Sequence, residues 1–133
     1  MFVDASAIIA ILTREPEADA LTDVLEHARS PITSAVAIFE AVLGICRKRH
    51  ASVEEGAQEF LGVTGIRVVP ITQSEAEAAL AAFSRYGKGR GHPAQLNLGD
   101  CFAYGVAQTH RTTLLFKGDD FGKTDILTAA RSP

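Results

Sequence analysis

Cysteine is scarce in this chain: Cys46 and Cys101 are the two it has, and they lie far apart. That excludes a disulfide framework or a zinc site, both of which need clusters at short spacing. Both read as reduced, partly buried thiols. Long apolar runs are also missing. The N-terminal run stops at Thr13 and Arg14, short of the roughly 18 residues that cross a bilayer, and no basic stretch precedes it. A cytoplasmic protein without membrane association is expected. No repeat, low-complexity tract or linker breaks up the 133 residues, which suit one domain spanning 1–133. With 47% apolar and 22% charged residues, the chain can bury a core and lacks the composition of a disordered one.

The net charge of −3 argues against a generally nucleic-acid-coated surface, but the charges are uneven. Residues 1–45 hold seven acids against two bases, whereas Arg85 to Lys123 holds six bases, Arg85, Lys88, Arg90, Arg111, Lys117 and Lys123, against Asp100, Asp119 and Asp120. If those three acids bound metal, the segment would present positive charge to a partner.

Periodicity predicts short strands at Met1–Asp4, Pro31–Ser34, Arg67–Ile71 and Thr113–Phe116, separated by helices at Ala5–Thr13, Glu17–His27, Ala35–Arg49, Ser52–Val63, Ser74–Tyr86 and Leu98–Thr109. Ser34 can cap one helix, Ser52 and Glu55 form a capping-box pattern, and Asn97 places Asp100 at the third helical position. The stretch "YGKGRGHPAQLN" reads as a mobile loop. Strands alternating with helices imply a parallel sheet, right-handed crossovers and helices on both faces. Ligands then bind outside the carboxyl ends of the strands.

Acids gather at those ends. Asp4 closes the first strand, where it can cap the next helix or serve a site. Glu40 interrupts an apolar helix: Val36, Phe39, Leu43 and Cys46 form one apolar stripe, Ile38, Val42 and Ile45 another, and Ala37, Glu40, Ala41 and Gly44 lie between. A glutamate among small side chains suggests that something approaches its carboxylate closely; a solvated face is the alternative. Asp100 follows Gly99, which capping does not require and which close approach of the backbone does favour. Asp119 and Asp120 follow the last strand, where adjacent acids in a turn mean little alone. Carboxylates converging on one edge repel one another unless a cation sits among them. Oxygen donors without paired His or Cys favour Mg²⁺ or Mn²⁺. Such ions activate water and offset charge in phosphodiester hydrolysis, and the nearby bases suit a nucleic-acid backbone.

Four stretches resemble the PIN-domain ribonucleases, and within them the VapC toxins of type II toxin–antitoxin systems: "VDASAIIAIL", "SAVAIFEAVLGI", "YGKGRGHPAQLNLGDCFAYGVA" and "LLFKGDDFGKTDI". The resemblance covers the full chain. It implies a three-layer α/β/α sandwich around a parallel sheet of four to five strands, and an Mg²⁺ or Mn²⁺ site. Asp4, Glu40 and Asp100 map onto the family's three principal acidic positions. The fourth acid falls on Asp119 or Asp120, with Asp119 slightly favoured, because the family often separates its two aspartates by one residue and here they are adjacent. Ser6, Thr33 and Ser34 are similar to the polar residues that support such sites. The implied activity is cleavage of structured cellular RNA, transfer or ribosomal, by a homodimer held in check by a cognate VapB-type antitoxin. An antitoxin segment of that kind docks as an amphipathic helix, and the helices over 5–13, 17–27 and 35–49 are its candidate walls. Arg85, Lys88, Arg90, His92 and Lys117 are the candidates for RNA contact; Phe83 and Tyr86 are expected to pack in the core.

Other acid-bearing α/β modules fit less well. A response-regulator receiver needs an aspartate ending a central strand, and "IRVVPIT" has none; a haloacid-dehalogenase-like phosphatase needs a second aspartate where Ser6 stands. A catalytically silent PIN-like scaffold that binds protein or RNA is the remaining alternative, and it predicts no Asp4-dependent stabilisation by Mn²⁺.

Overall fold

A computed structural model of the protein describes residues 1–129. Phe2–Val3 forms β1, and Ile32–Ser34, Arg67–Val69 and Leu114–Leu115 form β2, β3 and β4. They make one parallel sheet in the order β3-β2-β1-β4, with Phe2 opposite Ile32 on one side and Leu114 on the other. A single parallel bridge between Leu114 and Thr128 extends the β4 edge.

Alternation of strand side chains between the two faces produces the layers. Phe2, Ile32 and Leu114 bury on one face with Ala79, Ala82 and Val106, while Val3 and Leu115 bury on the other with Ala7, Ile8, Leu21 and Ala41. The first face is covered by α5 (Gln73–Tyr86) and α6 (Leu98–Thr109). The second is covered by α1 (Ala5–Leu12), α2 (Ala18–Glu26) and α3 (Ala35–Arg49), with α4 (Val53–Leu61) packed on α3. The result is the expected α/β/α sandwich. Among the described residues no helix is long and apolar enough to cross a membrane.

Local capping sets where the helices begin. Ser34 accepts from the Ala37 amide at 3.2 Å to start α3, Ser52 and Glu55 form the predicted capping box of α4, and Asn97 with Asp100 forms that of α6. At its other end α3 carries Arg47, Lys48 and Arg49 in the last turn, where cations complement the helix dipole.

Three details depart from expectation. In α3 the fully buried residues are Ala37, Ala41, Gly44 and Ile45, whereas Phe39 is 66% exposed. The helices approach too closely for large side chains: a Cβ on Gly44 would stand 2.2 Å from Ile9 Cδ1. Phe83 is 40% exposed, with the Arg90 guanidinium over its ring at 5.9 Å, while Tyr86 is buried as expected. The glycine-rich stretch is closed on itself: Gly87 bridges Leu96, the Lys88 amide donates to the Leu96 carbonyl at 2.8 Å, and Ala94 and Leu96 are buried. Two apolar residues anchor a segment that composition alone marked as loose.

Candidate active site

Strand order reverses between β1 and β4, and in an open parallel sheet a crevice forms at that point, outside the carboxyl ends. Asp4 follows β1 directly. It is buried, and it caps α1: its Oδ2 accepts from the Ser6 amide at 3.0 Å and the Ser6 hydroxyl at 2.6 Å. Ser6 Oγ accepts in turn from the Lys117 amide at 3.0 Å, which ties the end of β4 to the end of β1. Burial pushes the Asp4 carboxyl above the usual range, against the pull of its hydrogen bonds to Ser6. Thr33 and Ser34 act on the backbone. Thr33 Oγ1 donates to the Val3 carbonyl at 2.9 Å, and Ser34 caps the helix that carries Glu40.

Glu40 projects from α3 towards α6, and the group that approaches its carboxylate is Gly99. A Cβ added there would lie 2.0 Å from Glu40 Oε2 and 2.3 Å from Oε1. A side chain at that position would displace the carboxylate from where it now stands. Burial raises the Glu40 carboxyl to about 7, and the charges of Asp4 and Asp100 push the same way. Asp100 stands in the first turn of α6, where its Oδ2 accepts from the Asn97 amide at 3.0 Å. Burial raises it to about 6; the Asn97 hydrogen bond opposes this, and the charges of Asp4 and Asp120 reinforce it. Asp120 is one of the two adjacent aspartates, Asp119 and Asp120. Both are exposed, in the turn before a short 3₁₀ segment, Phe121–Lys123.

The capping roles of Asp4 and Asp100 are thus real, and they leave a further role open, since a cap of this kind takes one oxygen of a carboxylate that has two. Among the described residues no three His, Cys, Asp or Glu side chains group tightly enough to hold an ion as they stand. Their chemistry nevertheless fits a divalent cation. Glu40 and Asp100 are held well above the ordinary carboxylate range by burial and by neighbouring acids, Asp4 acting on both, and a bound hard cation offsets that repulsion.

The predicted basic residues divide. Lys88 and Arg90 are exposed on the glycine-rich segment. His92 is half-buried, its Nδ1 accepts from the Ala94 amide at 3.0 Å, and its ring meets Tyr86 edge-on at 4.8 Å. That ring holds the segment in shape. Lys117 pairs with Glu15 and, at 3.4 Å, with Glu17, while Lys48 also reaches Glu15 at 2.7 Å. Arg85 lies over the Tyr86 ring at 4.7 Å and pairs with Asp125 at 3.3 Å.

Two participants were missed in the sequence. Glu15 was given no role, and Asp125 lay unassigned in "LLFKGDDFGKTDI" although Tyr104 and Arg85 both donate to it. Helical spacing offered one signal: Tyr104 follows Asp100 by four positions and so shares its face of α6.

The sequence and the fold both have known relatives. The sequence model of the PIN domain matches residues 1–127. Ribonuclease VapC28 of Mycobacterium tuberculosis is 40% identical over 126 residues, covering 95% of each chain. The crystal structure of VapC20 from the same organism, titled a sarcin-ricin loop cleaving toxin, superposes with a TM-score of 0.77 at 16% identity over 98% of each chain. A toxin–antitoxin complex from Klebsiella pneumoniae superposes with a TM-score of 0.70 at 20% identity, again over 98% of each.

Proposed function

The chain belongs to the PIN-domain family and, within it, to the VapC ribonucleases, and from that premise we propose that it is the toxin of a VapBC-type module, a metal-dependent endoribonuclease acting on structured transfer or ribosomal RNA. The observation that carries the reading is the crowding of Asp4, Glu40, Asp100 and Asp120 at the carboxyl edge, with Gly99 stripped of a side chain where Glu40 arrives. These four acids are the residues that would hold Mg²⁺ or Mn²⁺. Asp120 takes the fourth place in preference to Asp119. A divalent cation bound there supplies activation of water and offset of phosphodiester charge.

The chain's own residues prepare the site. Ser6 orients Asp4, the Asn97 cap orients Asp100, and Thr33 and Ser34 steady the backbone between them. Lys88 and Arg90 are placed to meet the phosphate backbone, a contact that fixes register and carries no sequence information. A homodimer and a cognate antitoxin complete the proposed module, working in the cytoplasm where the RNA is. Exposed Phe39 and half-buried Ile9, Ile11, Leu12, Val24 and Leu25 support an apolar docking groove along α1 to α3.

The test is incubation of purified cellular RNA with the protein and Mg²⁺ or Mn²⁺, beside EDTA and Asp100→Ala controls. Discrete fragments that vanish in both controls are expected, and end mapping then identifies the target. A folded, antitoxin-free protein that neither cleaves nor binds Mn²⁺ in an Asp4-dependent way is instead a silent scaffold.

A further inference from the structure

The turn that carries Asp119 and Asp120 has little stiffness of its own. Gly118, at φ 108°, and Gly122 flank the two acids, and such residues resist bending least. Its position therefore depends on how its ends are held. Before the acids the Lys117 amide donates to Ser6 Oγ, and directly after them Phe121 is buried against Phe116, with ring centroids 5.2 Å apart.

Beyond Phe121 the segment is held a second time, by Asp125. Its Oδ1 accepts from the Tyr104 hydroxyl, and its Oδ2 accepts from Arg85 Nη1 at 3.3 Å. Tyr104 is a buried residue of α6, one turn beyond Asp100. Arg85 lies in the last turn of α5, and Tyr86 beside it packs on Tyr104 with centroids 5.8 Å apart and on His92 of the glycine-rich segment. One half-exposed carboxylate thus joins the acidic turn to the helix that carries Asp100 and to the segment that carries Lys88 and Arg90. The hydrogen bond from Tyr104, with Arg85 beside it, holds its carboxyl below the usual carboxylate range.

We propose that Asp125 is a positioning residue: by bonding Tyr104 and Arg85 it fixes the Asp119–Asp120 turn against α6 and so sets Asp120 beside Asp100. The inference rests on the metal-dependent reading above and adds to it a residue that touches neither metal nor RNA. Its action runs through Asp120. A side chain that merely stabilised the C-terminal segment would act regardless of Asp120.

The experiment is Mn²⁺ titration of the wild-type chain, Asp125→Ala, Asp125→Asn, Tyr104→Phe, Asp120→Ala and the Asp120→Ala/Asp125→Ala double variant, with circular dichroism confirming the fold of each. Loss of a group that orients ligands lowers metal affinity about tenfold or more. Asp125→Ala and Tyr104→Phe are each expected to show that loss. Asp125→Asn, which still accepts from Tyr104, should retain most of the affinity. In the Asp120→Ala background, Asp125→Ala should cost nothing further. An equal loss in both backgrounds, or none in either, overturns the positioning role. A wild-type chain that binds no Mn²⁺ overturns the functional reading itself, and the positioning role with it.

Discussion

Replacing Glu40 with glutamine removes one crowded charge and keeps the side chain's shape. The Glu40 carboxyl stands at about 7 against an ordinary 4.5, raised first by burial and then by Asp4 and Asp100. An acid whose folded value exceeds its unfolded one holds its proton more tightly when folded. It therefore costs nothing below the unfolded value, and it lowers stability as pH climbs from 4.5 through about 7. At about 1.4 kcal/mol per pH unit the ceiling is about 3.4 kcal/mol; solvent reaching the half-buried side chain reduces it to roughly 1–2 kcal/mol. In EDTA near pH 8, Glu40→Gln should be more stable than wild type by that amount, which is roughly 3–8 °C in Tm for a chain of this size. Near pH 4.5 the two should coincide. Urea unfolding across this range reports Glu40 together with its coupling to Asp4 and Asp100, the remaining titrating groups being common to both proteins. Saturating Mn²⁺ should reverse the order, since a ligand at a hundredfold excess over its Kd stabilises the form that binds it by about 2.7 kcal/mol. A glutamine variant no more stable than wild type near pH 8 refutes the crowding argument.

Gly99→Ala tests the same contact from the other side. The added methyl displaces the free end of a flexible side chain and improves helix propensity, so stability should change by less than about 1 kcal/mol. Glu40 is nonetheless expelled, and Mn²⁺ affinity should fall about tenfold or more, as a titration will show; unchanged affinity refutes the contact. Lys88→Ala and Arg90→Ala should each reduce the slope of log K against log salt for RNA binding by about 1. Lys117→Ala should reduce it less, because Glu15 and Glu17 already hold that ammonium. Equal slopes for all three variants and wild type remove these residues from the RNA surface.

The layered fold was legible because its signals are local. Phe2 and Val3 alternate between two cores, Ser34, Ser52 and Asn97 start their helices within three residues of themselves, and the order of strands and helices leaves a parallel sheet as the plausible arrangement. The same order puts Asp4 and the Asp119–Asp120 pair on one edge, since both follow strands. Gly99 was legible as a point of close approach, though the approaching group was not. The α3 stripes misled because hydrophobicity ranks Phe39 above Ala41, while a tight helix–helix approach buries the smaller residue. The glycine-rich segment misled for a related reason: composition weighed its glycines and passed over Ala94 and Leu96, which pin it.

Residue chemistry and spacing along the chain thus established the architecture, and they indicated the acids of the proposed site. Three-dimensional packing selected among the remaining possibilities. It brought Glu40 to Gly99, paired Lys117 with Glu15 across 102 positions, and joined Asp125 to Tyr104 across 21. Periodicity and capping act within a few residues. Contacts such as these depend on how closely two helices approach and where a turn is pinned, and those distances are set by the whole core at once.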